Sequence, residues 1–96
     1  MSPKNKIKLN FLRKKLDNLD IRLLKIVKER TEIIKKVLPL KTYKKEIIDK
    51  KRISAILKKI KKESLKKNID PKITHRIWKN MIWSYINFEK KNFKKK

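Results

Sequence analysis

Residues 10–38 read NFLRKKLDNLDIRLLKIVKERTEIIKKVL, and the spacing of their apolar residues decides the fold class. Leu, Ile and Val recur at steps of three and four residues, which is the pattern of one face of an α-helix. The positions are Leu12, Leu16, Leu19, Leu23, Val27, Ile34 and Val37. Such a helix would be roughly 40 Å long. It cannot fold back on itself, so its apolar stripe requires a partner, and Pro39 ends or kinks it.

Two further helices are predicted after a loop at residues 39–46. The second runs over residues 47–67, and its expected inward residues are Ile53, Ile56, Leu57, Ile60 and Leu65. Asn68 is a helix stop, and Asp70-Pro71 combines an N-cap with a proline at the first helical position. The third helix then reaches about Asn92 and carries the large apolar residues Ile73, Ile77, Trp78, Met81, Ile82, Tyr85, Ile86 and Phe93. We expect one all-α domain over residues 1–96, with disordered tails at 1–6 and 94–96.

The composition of the 96 residues excludes several classes of protein. The chain has no Cys, so it offers no disulfide framework and no thiolate chemistry, and the lone His75 cannot build a histidine-rich metal site. It has no Gly, which excludes glycine-rich nucleotide-binding loops. No apolar run approaches the roughly 18 residues of a membrane span, and residues 1–10 lack the apolar core of a signal peptide. We expect a cytoplasmic protein without a membrane partner.

The net charge of +23, from 32 Lys and Arg against 9 acids, raises a nucleic-acid-binding alternative. That alternative predicts basic residues gathered on one face, whereas Lys occurs in every segment, including turns and both tails. The Arg residues are few and therefore informative, because a guanidinium binds a carboxylate through two parallel hydrogen bonds and Lys does not. They are Arg13, Arg22, Arg30, Arg52 and Arg76.

Three charged residues interrupt the apolar spacing. Arg30 lies on the stripe of the first helix, and the same spacing continued beyond the kink reaches Lys41. A cation there indicates an interior pocket for an anion, or a side chain that reaches solvent or pairs with an acid of another helix. On the third helix the spacing 78, 82, 85, 89, 93 includes Glu89, on one face with Tyr85. Glu89 is either a proton-bearing donor in the pocket or half of a structural ion pair.

Several segments, taken in order, resemble the all-helical (AroQ-type) chorismate mutases. Residues 11–30 carry an Arg, two Asp three residues apart, a Leu pair and a second Arg; Lys41 follows at the family's lysine position. Residues 49–52 read DKKR, residues 68–71 read NIDP and residues 81–86 read MIWSYI, each similar to the family at near-family spacing. The resemblance covers about residues 11–93.

The resemblance implies an intertwined homodimer of three-helix chains, whose long first helices cross between subunits and whose two sites use residues of both chains. It implies an isomerase of the shikimate pathway and aromatic amino acid biosynthesis, which converts chorismate to prephenate by a [3,3] rearrangement without metal or cofactor. Arg13 of the partner subunit and Arg30 would bind carboxylates of this dianionic substrate. Lys41 and Glu89 would donate to the ether oxygen. The remaining substrate-binding positions are Asp49, Arg52 and Tyr85.

The chain also departs from the family pattern. Ile53 stands where many mutases carry the Glu that binds the substrate hydroxyl, and Tyr85 stands where many bacterial mutases carry Ser. The segment from Lys41 to Asp49 is about one residue shorter than in the commonest bacterial form. The short loop and the Tyr85-Ile86 pair resemble a sister branch, the isochorismate-pyruvate lyases of salicylate synthesis. A lyase is therefore the alternative within this fold.

Overall fold

The computed structural model describes residues 1–94, and this part of the chain is all-α, as predicted. Its three helices are α1 (Pro3–Val37), α2 (Lys50–Lys66) and α3 (Pro71–Asn92), and it contains no strand. Two short 3-10 helices, Leu38–Leu40 and Lys44–Ile47, occupy most of the predicted loop at residues 39–46 and extend one residue beyond it at each end. The chain divides into two compact units, one of Met1–Ile33 and one that begins at Ile34. Of the predicted tail at 94–96, residues 95 and 96 lie outside the described residues.

The first unit consists of helix α1, which begins earlier than the predicted start near Asn10. Residues 3–6, assigned to a disordered tail from sequence, are helical. Ser2 caps this end: the Asn5 N–H donates to Ser2 Oγ at 3.2 Å, and the Lys6 N–H donates to the Ser2 carbonyl at 2.9 Å. Pro3 follows at the first helical position, where its missing N–H costs nothing. The cap and the proline therefore allow the helix to begin at Pro3, the third residue of the chain.

The apolar stripe of α1 is exposed along most of the first unit. No residue of α1 is fully buried, and Leu12, Leu16, Leu19 and Leu23 are each at least 50% exposed. Val27 is half-buried. A contiguous row of exposed leucines is unusual for a monomeric protein and marks an interaction surface.

The second unit is built on well-defined helix ends. Asp49 caps α2 by accepting a hydrogen bond from the Arg52 N–H at 3.0 Å, and Asp70 caps α3 by accepting one from the Lys72 N–H at 2.9 Å. Helix α2 ends in a Schellman motif, because the Ile69 N–H donates to the Ser64 carbonyl and Asn68 adopts a φ of 57°. Asn68 is thus the predicted stop, and the cap at Asp49 starts α2 later than the predicted residue 47.

The core of the second unit lies between α2, α3 and the connecting 3-10 helices. Its buried apolar residues are Leu38, Ile47, Ile82 and Ile86, against which Ile48, Ile53, Ile56, Leu57 and Phe93 pack. The inward orientation predicted for Leu65 is wrong, since this residue is more than half exposed, as are Ile73 and Ile77 of α3. The packed faces instead include Ser64 and Thr74, which are buried and share a hydrogen bond of 2.7 Å between their hydroxyl oxygens. Leu65 and Ile73 follow and precede these two residues directly, so both are rotated away from the contact.

No helix within residues 1–94 is long and apolar enough to cross a membrane.

Candidate active site

Lys41 and Glu89, two of the charged residues that interrupt the apolar spacing, contact each other. Lys41 Nζ lies 2.6 Å from Glu89 Oε2. The pair joins residues 48 positions apart in sequence. The side chain of Glu89 is 6% exposed and that of Lys41 is 19% exposed. The contact is therefore a nearly buried ion pair within the second unit.

The local structure explains how the two side chains meet. Lys41 follows the 3-10 turn that Pro39 starts, and its N–H donates to the Leu38 carbonyl at 3.1 Å. Glu89 lies in the last turn of α3, three residues after the buried Ile86. The apolar spacing of α3 directs Glu89 towards the core, and the turn after α1 brings Lys41 to the same place. The packing that buries Leu38 and Ile86 therefore also brings the pair together.

The ion pair combines two interpretations that the sequence left open. A carboxylate as deeply buried as that of Glu89 is costly unless it is paired. Lys41 supplies that pairing through a short charge-assisted hydrogen bond, in which the ammonium donates and the carboxylate accepts. Glu89 is thus half of an ion pair, and its partner is the lysine predicted to lie in the pocket. In this arrangement Lys41 is the donor and Glu89 is an acceptor.

The other predicted site residues of the second unit lie on α2 and α3. Tyr85 is half-buried and lies one helical turn before Glu89, on the same face of α3. Asp49 and Arg52 are joined by the N-cap hydrogen bond of α2, and both are exposed. Ile53, at the position where many mutases carry Glu, is half-buried and packs against the core.

The remaining two predicted site residues, Arg30 and Arg13, belong to the first unit. Arg30 is half-buried, unlike the leucines of the same stripe nearer the start of α1. Arg13 is exposed. The stripe is therefore exposed around Leu12 to Leu23 and less exposed around Val27 and Arg30.

A groove between α2 and α3 was not predicted from the sequence. The available signal was the spacing of Lys58 and Lys61 beside Leu57, since these residues lie on one side of α2. Within residues 1–94, no group of three or more His, Cys, Asp or Glu side chains could hold a metal ion.

Comparison with known proteins gives one result. The family model for chorismate mutase type II matches residues 12–90, most of the chain and all of its predicted site residues. No curated protein and no solved structure matches the sequence. The match covers all of α2 and most of α1 and α3, the elements that carry Arg13, Arg30, Lys41 and Glu89. The chain belongs to the chorismate mutase type II family.

Proposed function

We propose that this protein is a cytoplasmic isomerase of aromatic amino acid biosynthesis that rearranges chorismate to prephenate. The observation that supports the proposal most strongly is the contact between Lys41 and Glu89. Family membership implies a substrate with two carboxylates and an ether oxygen. A nearly buried lysine beside a buried carboxyl suits such an oxygen, because it provides a cationic donor in a site with little water.

The proposed chemistry requires no covalent intermediate. The reaction breaks a carbon–oxygen bond and forms a carbon–carbon bond in one step, so the protein has to hold the reactive conformer and stabilise charge on the departing oxygen. Lys41 donates a hydrogen bond to this ether oxygen both in the bound substrate and in the transition state. Glu89 donates only when its carboxyl carries a proton, because an ionised carboxylate would repel the developing negative charge. Binding therefore has to exchange the contact between the two side chains for contacts with the substrate.

Arginines bind the two carboxylates of the substrate in this proposal. Arg30 binds one within its own chain, and Arg13 of the partner subunit binds a carboxylate from the other side. Arg52 adds a third cation near the start of α2, where Asp49 fixes the helix end. Tyr85 lines the pocket on the face that carries Glu89. In a chain with 32 basic residues, the use of Arg at these positions fits bidentate binding of carboxylates.

The proposed assembly is a homodimer whose sites are shared. The exposed leucines of α1 support it, because Leu12, Leu16, Leu19 and Leu23 form a continuous apolar surface in the first unit. A second copy of the same helix crossing this surface would cover it. The same crossing would carry Arg13 of one chain to the site of the other. Sedimentation at micromolar protein should therefore give about twice the chain mass.

An assay with two substrates tests the proposed reaction. The purified protein is incubated with chorismate and, separately, with isochorismate, and prephenate, salicylate and pyruvate are measured. We expect prephenate from chorismate and little pyruvate from isochorismate. Faster release of salicylate and pyruvate would identify the protein as an isochorismate-pyruvate lyase, which the short segment between Lys41 and Asp49 and the Tyr85-Ile86 pair favour. No turnover of either substrate would contradict the proposal.

A further inference from the structure

The second unit contains a groove that the proposed reaction does not use. It lies between α2 and α3 and has a volume of about 860 Å³. Its apolar lining consists of Ile48, Ile53, Leu57, Pro71 and Trp83. Trp83 is 41% exposed, which is a large apolar surface to leave in contact with water. The groove follows α2 from Lys50 to Lys61 and α3 from Lys72 to Trp83, so it is about 16 Å long.

The groove and the candidate active site lie on different sides of the α2–α3 pair, with Ile53 at the boundary between them. On α2, Arg52 lies two residues from both Lys50 and Ser54, which line the groove. On α3, Tyr85 lies two residues from Trp83. Residues two apart on a helix point in nearly opposite directions. A ligand in the groove would therefore leave Arg52, Tyr85 and Glu89 uncovered.

The charge along the groove has one sign. Five cations line it, three from α2 and two from α3: Lys50, Lys58, Lys61, Lys72 and Arg76. His75 and Ser54 are the other polar residues of the lining, and within residues 1–94 no acid belongs to it. Cations therefore stand along both long edges of an apolar floor.

This arrangement selects among possible occupants. A fatty acid has one charged end, its carboxylate, and would need cations at one end of the groove only. A nucleic acid would contact the cations but would not need the apolar floor. The first helix of a second copy is a poor match, because α1 carries twelve Lys and Arg against only four acids, and none of the four precedes residue 17. A helix with an apolar stripe and acids on both sides of it matches the floor and both edges.

We propose that the groove between α2 and α3 binds an acidic amphipathic helix of a partner protein. About three helical turns would fill its length. Apolar side chains would pack on Leu57 and Trp83, and the flanking carboxylates would pair with Lys58 and Lys61 on one edge and with Lys72 and Arg76 on the other. The partner is thus defined by its chemistry: an acidic segment that becomes, or already is, a helix.

Synthetic peptides test this proposal on the whole protein. The probe is a fluorescein-labelled peptide of about three heptads, longer than the groove so that it forms a stable helix, with Leu at the core positions and Glu on both sides of them. A second peptide has the same composition in an order that spreads its Leu residues around the helix. A third carries Lys in place of Glu. Fluorescence anisotropy gives the affinity, and a blue shift of the Trp83 emission, absent in Trp83→Phe, locates the binding.

Charge reversal on α2 provides a matched pair of variants. Lys58→Glu/Lys61→Glu changes the edge of the groove, and Lys59→Glu/Lys62→Glu makes the same change of net charge on the same helix outside the groove. All four lysines are exposed, so both variants should fold. Lys72→Glu/Arg76→Glu repeats the test on the other edge. None of these residues belongs to the candidate active site, so prephenate formation should be unchanged.

We expect only the peptide with the apolar stripe and flanking Glu to bind and to shift Trp83. Reversal at 58 and 61 should weaken its binding about tenfold, and reversal at 59 and 62 by less than about twofold. Equal binding of the shuffled peptide, or equal weakening by the two double variants, would overturn the proposal. Three other results would also overturn it, each by pointing to a different occupant. A saturable Trp83 shift with dodecanoate but not with the peptide would indicate a fatty-acid site, and displacement of the peptide by a DNA duplex would indicate a nucleic-acid site. Loss of the dimer in Lys58→Glu/Lys61→Glu would indicate that a second copy of the chain covers the groove.

Discussion

Helix α1 in the first unit and the helices of the second unit both carry apolar spacing at helical intervals, but they differ in how much of it the chain covers. In the second unit, Ile82 and Ile86 are at most 8% exposed, and the charged Glu89 beside them is paired with Lys41. In the first unit, Leu16 and Leu23 are more than half exposed. Apolar spacing thus predicts a helix and its face in both units, and it predicts burial within the chain only where a second helix is available.

This difference in burial distinguishes the part of the proposed site that a single chain forms from the part that would require the dimer. The second unit holds Lys41, Tyr85 and Glu89 in position through its own core. The first unit offers Arg13 on a helix whose apolar surface is open. In the proposed enzyme, the first unit therefore supplies both the dimer contact and the arginines, and the second unit supplies the donors to the ether oxygen.

The largest effect is expected from Lys41→Met. It removes the donor to the ether oxygen, so kcat/KM for prephenate formation should fall by several orders of magnitude. It also leaves the Glu89 carboxylate buried without its cation, which should lower the free energy of unfolding by about 3 kcal/mol. Chorismate assays and urea unfolding measure the two effects.

The double variant Lys41→Met/Glu89→Gln is the control for that experiment. It removes the buried charge as well as its partner, so most of the stability should return while activity stays lost. If the double variant recovered activity along with stability, Lys41 would be a structural residue only.

The exposed stripe of α1 provides the second test. Leu19→Lys places a charge on the stripe, whereas Ile21→Lys places the same charge on the opposite face of the helix. Both positions are exposed in the single chain, at 50% and 59%. If a second chain covers the stripe, only Leu19→Lys should shift sedimentation to the monomer mass and abolish activity. Equal behaviour of the two variants would argue that the stripe is not the dimer contact.

The third test concerns pH and Glu89. A protonated carboxyl donates to the ether oxygen and an ionised one does not, so kcat/KM should fall as pH rises if Glu89 is one of the donors. Glu89→Gln should flatten this fall, because an amide donates at every pH. The profiles are compared between about pH 5 and pH 9. A wild-type rate that rises with pH, or a profile that Glu89→Gln leaves unchanged, would exclude Glu89 as a donor.

The smallest effect is expected in the α2–α3 contact. Ser64 and Ser84 each donate to the carbonyl four residues earlier, at 2.6 and 2.7 Å, but Ser64 is buried against Thr74 and Ser84 is exposed. Ser64→Ala should lower the free energy of unfolding by about 1 kcal/mol, and Ser84→Ala should change it by less than about 0.5 kcal/mol. Equal effects would mean that the buried hydroxyl pair adds nothing to the contact.

The sequence predicted the helices and their ends well where a local rule applies. Asp70-Pro71 starts α3 because the cap and the proline act within a single turn. Asn68 ends α2 because it adopts the left-handed backbone conformation, which also depends only on neighbouring residues. The same rule at Ser2-Pro3 was overlooked, so the early start of α1 was missed. Helix ends depend mainly on residues close in sequence, so they can be predicted without knowledge of the tertiary structure.

The burial of individual residues was less predictable, since it depends on which faces of two helices meet. Leu65 was expected inside and is exposed, while Ser64 is buried because its hydroxyl finds a partner in Thr74. The candidate site was visible in the sequence as charges at apolar positions. That Lys41 pairs directly with Glu89 could not be read from the spacing, because it depends on the turn after α1 and on the packing of α3.

Mixing two inactive variants tests most directly the claim that the two units complete one site across chains. Arg13→Ala and Arg30→Ala should each lose several orders of magnitude in kcat/KM, because each removes a charge-assisted contact with a carboxylate. After subunit exchange, half of the dimers are mixed and each holds one intact site, so about a quarter of wild-type activity should return. If activity did not return although differently tagged chains showed that subunits had exchanged, each site would not combine Arg13 of one chain with Arg30 of the other.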